Sequence, residues 1–121
     1  LNIFNCKKAC CNNKKYKKEL KNKIKKILNK NKEKIIDFFN KEIELNSYKG
    51  KHFALSFDEI PLMSKLNIGE ECYFNKKFYK FVKKIFSKFG YRVSYGCGDG
   101  YLWKTNNMAI HFTWGWLKLF C

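Results

Sequence analysis

A chain of 121 residues with 25 Lys, one Arg and 10 acidic side chains is a single small domain with a formal net charge of +16. At 45% hydrophobic and 18% aromatic residues it holds ample material for a core, which excludes disorder of the whole chain. The longest apolar stretch, Met108 to Phe120, is interrupted by His111 and Lys118 and falls short of the roughly 20 residues a membrane span requires.

Charge is concentrated toward the N-terminus: residues 1 to 34 hold 13 Lys against 2 Glu, whereas residues 35 to 121 hold 13 basic against 8 acidic residues. Residues 1–14 read as a flexible basic arm containing Cys6, Cys10 and Cys11, and residues 15–121 as one small α+β domain. Leu20, Ile24, Ile27, Ile35, Phe38 and Phe39 recur at helical spacing, with Asn31 filling the gap. They predict one long amphipathic helix from about Lys15 to Leu45, long enough for a coiled-coil partner. Lysines in its first turns oppose the helix macrodipole, so those turns are expected to fray. Asn46 to Gly50 ends the helix.

His52 to Phe57 alternates as a strand does, with Phe53, Leu55 and Phe57 on one face and His52, Ala54 and Ser56 on the other, and Pro61 closes it. Phe74, Phe78, Phe81, Val82, Ile85 and Phe89 form the clearest helical pattern of the chain. It predicts a second amphipathic helix over about Glu71 to Phe89, with Glu70 and Glu71 suited to its start and Gly90 to its stop. Tyr91–Tyr95, Tyr101–Thr105 and Met108–Trp114 read as three strands. A turn at Asn106 and Asn107 would set Trp103 opposite Ile110 and Tyr101 opposite Phe112. The order predicts an α+β fold: a long N-terminal amphipathic helix, a strand, a second amphipathic helix and a three-stranded antiparallel meander.

The basic charge points to a polyanion, with one qualification. Lys and Asn together fill 38 of 121 positions, as expected of A/T-rich codon drift. Base readout leans on arginine, whose planar fork pairs bidentately, and Arg92 is the sole arginine. Nonspecific, salt-sensitive association with nucleic acid or a nucleoprotein needs only positive charge. On the second helix Lys76, Lys77, Lys80, Lys83, Lys84 and Lys88 line the side away from the phenylalanines, with Tyr79 and Phe86 near its edge and Arg92 just beyond. Lysines beside an aromatic ring suit single-stranded nucleic acid; the same pattern also describes a merely solvated helix face.

Cys6, Cys10, Cys11, Cys72, Cys97 and Cys121 lack zinc-ligand spacing, so no metal or cofactor is expected and reduced thiols are the favoured state. Cys97, between two glycines, is the thiol expected to be most exposed and reactive. Asp58 and Glu59 form an acidic pair at a strand end. Gly96–Gly100 is glycine-rich but leads into a strand, not the helix a phosphate loop requires. His52 and His111 would share a sheet face, and two imidazoles are the acid–base pair of a metal-independent ribonuclease. No further catalytic motif accompanies them, so a noncatalytic role is expected.

Trp114, Trp116, Leu117 and Phe120 crowd the C-terminal stretch, which is expected to pack under the sheet or to dock on a protein partner. The run Phe89–Val93 followed by a hairpin ending Ile110–Trp114 resembles the helix-then-hairpin ends of small phage and viral proteins, which implies a viral, phage or parasite source. The leading expectation is a noncatalytic basic binding protein for nucleic acid or a nucleoprotein assembly, cytoplasmic or virion-associated. The alternative is a protein-interaction or virion structural component, including an inhibitor of a host nucleic-acid enzyme. It would act through the long helix and the aromatic tail, with a protein partner or as a homo-oligomer.

Overall fold

The computed structural model describes residues 2–66, 71–96 and 109–115. The first helix, α1, runs over Cys6–Lys30, and α2 follows over Lys32–Ser47. The helix therefore starts well before Lys15, with the Asn5 side chain capping it by accepting from the Lys8 N–H at 3.2 Å. One capped N-terminus satisfies donors that the first-turn lysines cannot. Residues 2–14 are nonetheless exposed throughout, although helical from Cys6.

The long helix is interrupted at Asn31, whose φ of −104° and ψ of 14° leave the helical well. Its backbone N–H and its side-chain Nδ2 both donate to the Ile27 carbonyl, at 3.1 and 2.8 Å. A side-chain amide competing for a ladder carbonyl is an ordinary cause of a helix bend. The bend keeps two apolar stripes on the core: Leu20, Ile24 and Leu28 before it, Ile35, Phe39 and Ile43 after it. Asn46 and Gly50 close α2 as expected, with the Asn46 Nδ2 donating to the Glu42 carbonyl and the Gly50 N–H to the Asn46 carbonyl.

Strand β1 spans His52–Ser56 and gives way to a 3-10 turn over Phe57–Glu59. Pro61 does more than close the strand: it opens a short helix, α3, over Pro61–Leu66, where its missing N–H costs nothing. Helix α4 covers Glu71–Phe86 and tightens into a 3-10 turn at Ser87–Phe89 before Gly90, at φ 89°, stops it. The apolar stripe is Phe74, Phe78, Val82 and Phe86, all buried, with Phe81 and Ile85 beside it. Two expectations are corrected here. Phe86 belongs to the core at 3% exposure and Phe89 lies outside it at 75%, because a strict four-residue step selects Phe86 and the tighter last turn carries Phe89 off the stripe.

Strands β2, Arg92–Gly96, and β3, Ala109–Thr113, complete an antiparallel sheet of order β1-β3-β2. The α+β class is as expected and the element order roughly so, but β1 joins the sheet as a full member. Ile110 pairs with Leu55 and Tyr95, and Phe112 with Phe53 and Val93. Both edges of β3 are thereby occupied, which displaces the expected pairing of Ile110 with Trp103 and Phe112 with Tyr101; Tyr101–Thr105 and the Asn106–Asn107 turn lie outside the described residues. Phe53, Leu55, Val93, Tyr95, Ile110 and Phe112 face the helices. Phe39 of α2 stacks on Phe112 at 5.1 Å and meets Phe78 and Phe86 of α4, each at 6.1 Å. That places α2 and α4 on one side of the sheet and leaves its other side turned away from them.

Candidate functional site

Burial of the Phe74–Phe86 stripe fixes which side of α4 must face water. Lys76, Lys80, Lys83, Lys84 and Lys88 are exposed and Lys77 is half-buried, so the structure brings all six expected lysines onto the outward side of one helix. From Lys76 to Lys84 the array extends about 12 Å at the α-helical rise, with Lys88 following in the 3-10 turn. Two of its ammonium groups lean on rings one turn earlier: Lys77 Nζ lies 5.4 Å from the Tyr73 ring centre and Lys83 Nζ 5.7 Å from that of Tyr79. These contacts partly order side chains that would otherwise be free in solvent.

Packing of α1 against α4 adds a lysine that the linear sequence did not nominate. Lys77 is held below the ordinary lysine pKa, first by partial burial and then by repulsion from Lys21 of α1 and from Lys80 and Lys76 of its own helix. Among the described residues no carboxylate forms an ion pair with any of these four lysines. The result is a positive seam across two helices, with its like charges unpaired among the described residues. Lys21 follows the buried Leu20 by one residue, and nothing in the one-dimensional pattern links it to α4. Tyr73, by contrast, precedes Lys77 by one turn, a spacing that was available to reading.

Two expected members fall elsewhere. Tyr79 is half-buried and stacks on Tyr95 at 5.1 Å with the rings 24° apart; a base would have to compete with that stack. Arg92 opens β2 beside the inward-facing Val93 and therefore lies on the sheet face turned away from α4. The expected partner-binding residues divide similarly. Trp114 is half-buried against Phe53 and Tyr91, at 5.9 and 6.1 Å, while Trp116, Leu117 and Phe120 lie outside the described residues. Trp114 helps to line a cavity of about 520 Å³ with Ile43, Glu44, Phe89 and Tyr91. A neighbouring cavity of about 390 Å³ continues it along Ile36 and Ile85.

Other candidates resolve into local roles. Glu59 Oε1 accepts from the Ser56 hydroxyl at 3.0 Å and the Ser56 N–H at 3.4 Å, a capping arrangement for the 3-10 turn. Cys6, Cys10 and Cys11 are exposed, unpaired thiols, and the described residues contain no group of three or more potential metal ligands. Cys97, Cys121 and the glycine-rich segment from Cys97 onward lie outside the described residues, as does the Cys72 side chain. His52 and His111 share the outer sheet face, as alternation required. No helix among the described residues is long and apolar enough to cross a membrane. No protein-family model, curated protein or solved structure matches the chain.

Proposed function

We propose that this chain is a noncatalytic basic binding protein that associates with nucleic acid, alone or within a nucleoprotein assembly. The observation that carries the reading is the seam between two packed helices, where Lys77 of α4 is repelled by Lys21 of α1 as well as by Lys80 and Lys76 of its own helix, with no carboxylate paired to them among the described residues. Four like charges gathered by two packed helices raise the energy of the free protein, and a polyphosphate backbone relieves that repulsion while releasing its own counterions. Lys83, Lys84 and Lys88 extend the surface along α4, and the exposed front half of α1 adds further lysines on the same helix as Lys21.

The test is binding to labelled single-stranded and duplex nucleic acid across a salt series. Affinity is expected to fall steeply with salt. Replacing lysines of the set Lys21, Lys76, Lys77, Lys80, Lys83, Lys84 and Lys88 by Gln is expected to flatten the slope of log K against log salt by about 0.7 per contacting lysine for single strands. An absence of binding at low salt, or a slope indifferent to the replacements, rejects the reading.

A second reading, a protein-interaction component, is supported by the adjoining cavities between α2 and the end of α4, where Phe89 is largely exposed beside Tyr91 and Trp114. It predicts that Phe89→Lys abolishes capture of a protein partner and leaves nucleic-acid binding intact.

A further inference from the structure

The chain contains one arginine and two histidines among all its basic side chains, and the sheet register brings all three to one place. Arg92, Thr113 and His52 form a single row across β2, β3 and β1, because Thr113 pairs with both Arg92 and His52. The next row on the same face is Ser94, His111 and Ala54. Residues opposite one another in such a row stand about 5 Å apart at Cβ, and diagonal neighbours about 7 Å. Thr113 is thus flanked by His52 and Arg92, with His111 two residues back on its own strand. His52, Ala54, Arg92 and Ser94 are exposed and His111 and Thr113 are half-buried, so the cluster is open to solvent.

We propose that this outer sheet face is a phosphate-binding site centred on Thr113. A phosphate group above Thr113 would accept from its hydroxyl, take the Arg92 guanidinium on one side and meet His52 on the other, with His111 behind and the Ser94 hydroxyl diagonal to Thr113. These are donors of the types that bind oxyanions, with the planar guanidinium suited to paired phosphate oxygens. Codon drift toward lysine does not explain the cluster, since none of its members is lysine. His111 Nε2 is shielded from solvent and has no hydrogen-bond partner, so His111 backs the site from beneath while His52, Arg92 and Ser94 form its exposed rim. The site lies on the opposite side of the sheet from the α4 lysines and stands independently of the reading given for them.

The test follows the imidazole resonances of His52 and His111 by nuclear magnetic resonance in the isotope-labelled full chain. Inorganic phosphate, a mononucleotide and a short single-stranded oligonucleotide are titrated in turn, with chloride at matched ionic strength as the control. Both imidazoles are expected to shift together and saturably with phosphate-bearing ligands but not with chloride. Arg92→Gln is expected to weaken the interaction about tenfold or more, and Thr113→Val, of the same shape, to weaken it without disturbing the fold. Equal behaviour of the three ligands identifies a site for a free phosphate or monoester, and a clear gain with the oligonucleotide identifies a subsite for the nucleic-acid backbone. Imidazoles that fail to saturate with all three ligands, or an Arg92→Gln chain that binds as the parent does, overturn the proposal. A chain with its α4 lysines replaced by Gln should still saturate with inorganic phosphate, which separates failure of this site from failure of the lysine surface.

Discussion

The front half of α1 and the whole of α4 are both lysine-rich helices, yet they differ in what holds them. Helix α4 buries Phe74, Phe78, Val82 and Phe86 against the sheet and α2. Residues 6–19 of α1 bury nothing, and the first buried side chain is Leu20. Charge alone therefore does not make a site. On α4 the lysines occupy fixed positions because the other side of the helix is fixed by the core. On the front of α1 the side chains are exposed and the Asn5 cap holds the first turn, and helices that bury little are marginal. The bound polyanion would meet a rigid array at α4 and a compliant one at the start of α1.

The largest expected effect breaks the anchored helix. Phe78 is fully buried and contacts the rings of Phe39, Phe57 and Phe74. Phe78→Ala is expected to lose about 3–5 kcal/mol, the range for deleting a buried aromatic side chain, and to abolish the cooperative transition at physiological temperature. Deleting residues 2–14 should leave the midpoint of thermal unfolding unchanged while weakening nucleic-acid binding. A large fall in stability on that deletion would show that the front of α1 is packed in solution and would remove the contrast.

How much of this was legible in the sequence follows from the same contrast. The Phe74–Val82 stripe and the α4 lysine face were readable because helical periodicity is a local property of the chain. The interruption at Asn31 was not, since it depends on a side-chain amide sharing a ladder carbonyl with the backbone N–H. Arg92 was assigned to the α4 surface from its nearness in sequence, whereas strand alternation puts it on the far face of the sheet. Lys21 beside Lys77, and Arg92 beside Thr113 and His52, arise from helix packing and strand register, which link residues far apart along the chain. The shared face of His52 and His111 was legible because both lie on strands whose alternation is local; their common neighbour was not.

A smaller effect compares the two helix ends. Gly90 stops α4 in the left-handed region, at φ 89°, where a Cβ costs about 1–2 kcal/mol. Gly90→Ala is expected to lower global stability by that amount in denaturant titrations, because the end of α4 and the start of β2 are both tied to the core. Asn5→Ala removes a cap whose typical contribution is about 1 kcal/mol, but from a segment whose side chains are exposed. It should speed amide exchange in the first turns of α1 and leave the global midpoint where it was. A shift of the midpoint by Asn5→Ala equal to that by Gly90→Ala would mean that the two regions unfold as one.

The smallest effect reports on the seam itself. The pKa of Lys77 is depressed in the fold by burial and by the charges of Lys21, Lys80 and Lys76, so the unfolded chain holds its proton more tightly than the folded chain does. Below both pKa values the repulsion is fully present and stability is flat with respect to this group. As pH rises through the lowered pKa toward the ordinary lysine value, the folded state loses the charge first and its contribution to stability increases. Lys77→Gln should therefore be slightly more stable than the parent at neutral pH, within about 0.5 kcal/mol, with the advantage shrinking in that alkaline window. A polyanion placed on the seam acts in the opposite direction, favouring the charged amine. Binding measured by calorimetry in alkaline buffers of different ionisation heat should then show proton uptake in the parent and less in Lys77→Gln. Equal uptake by the two proteins would place the bound polyanion away from the α1–α4 seam.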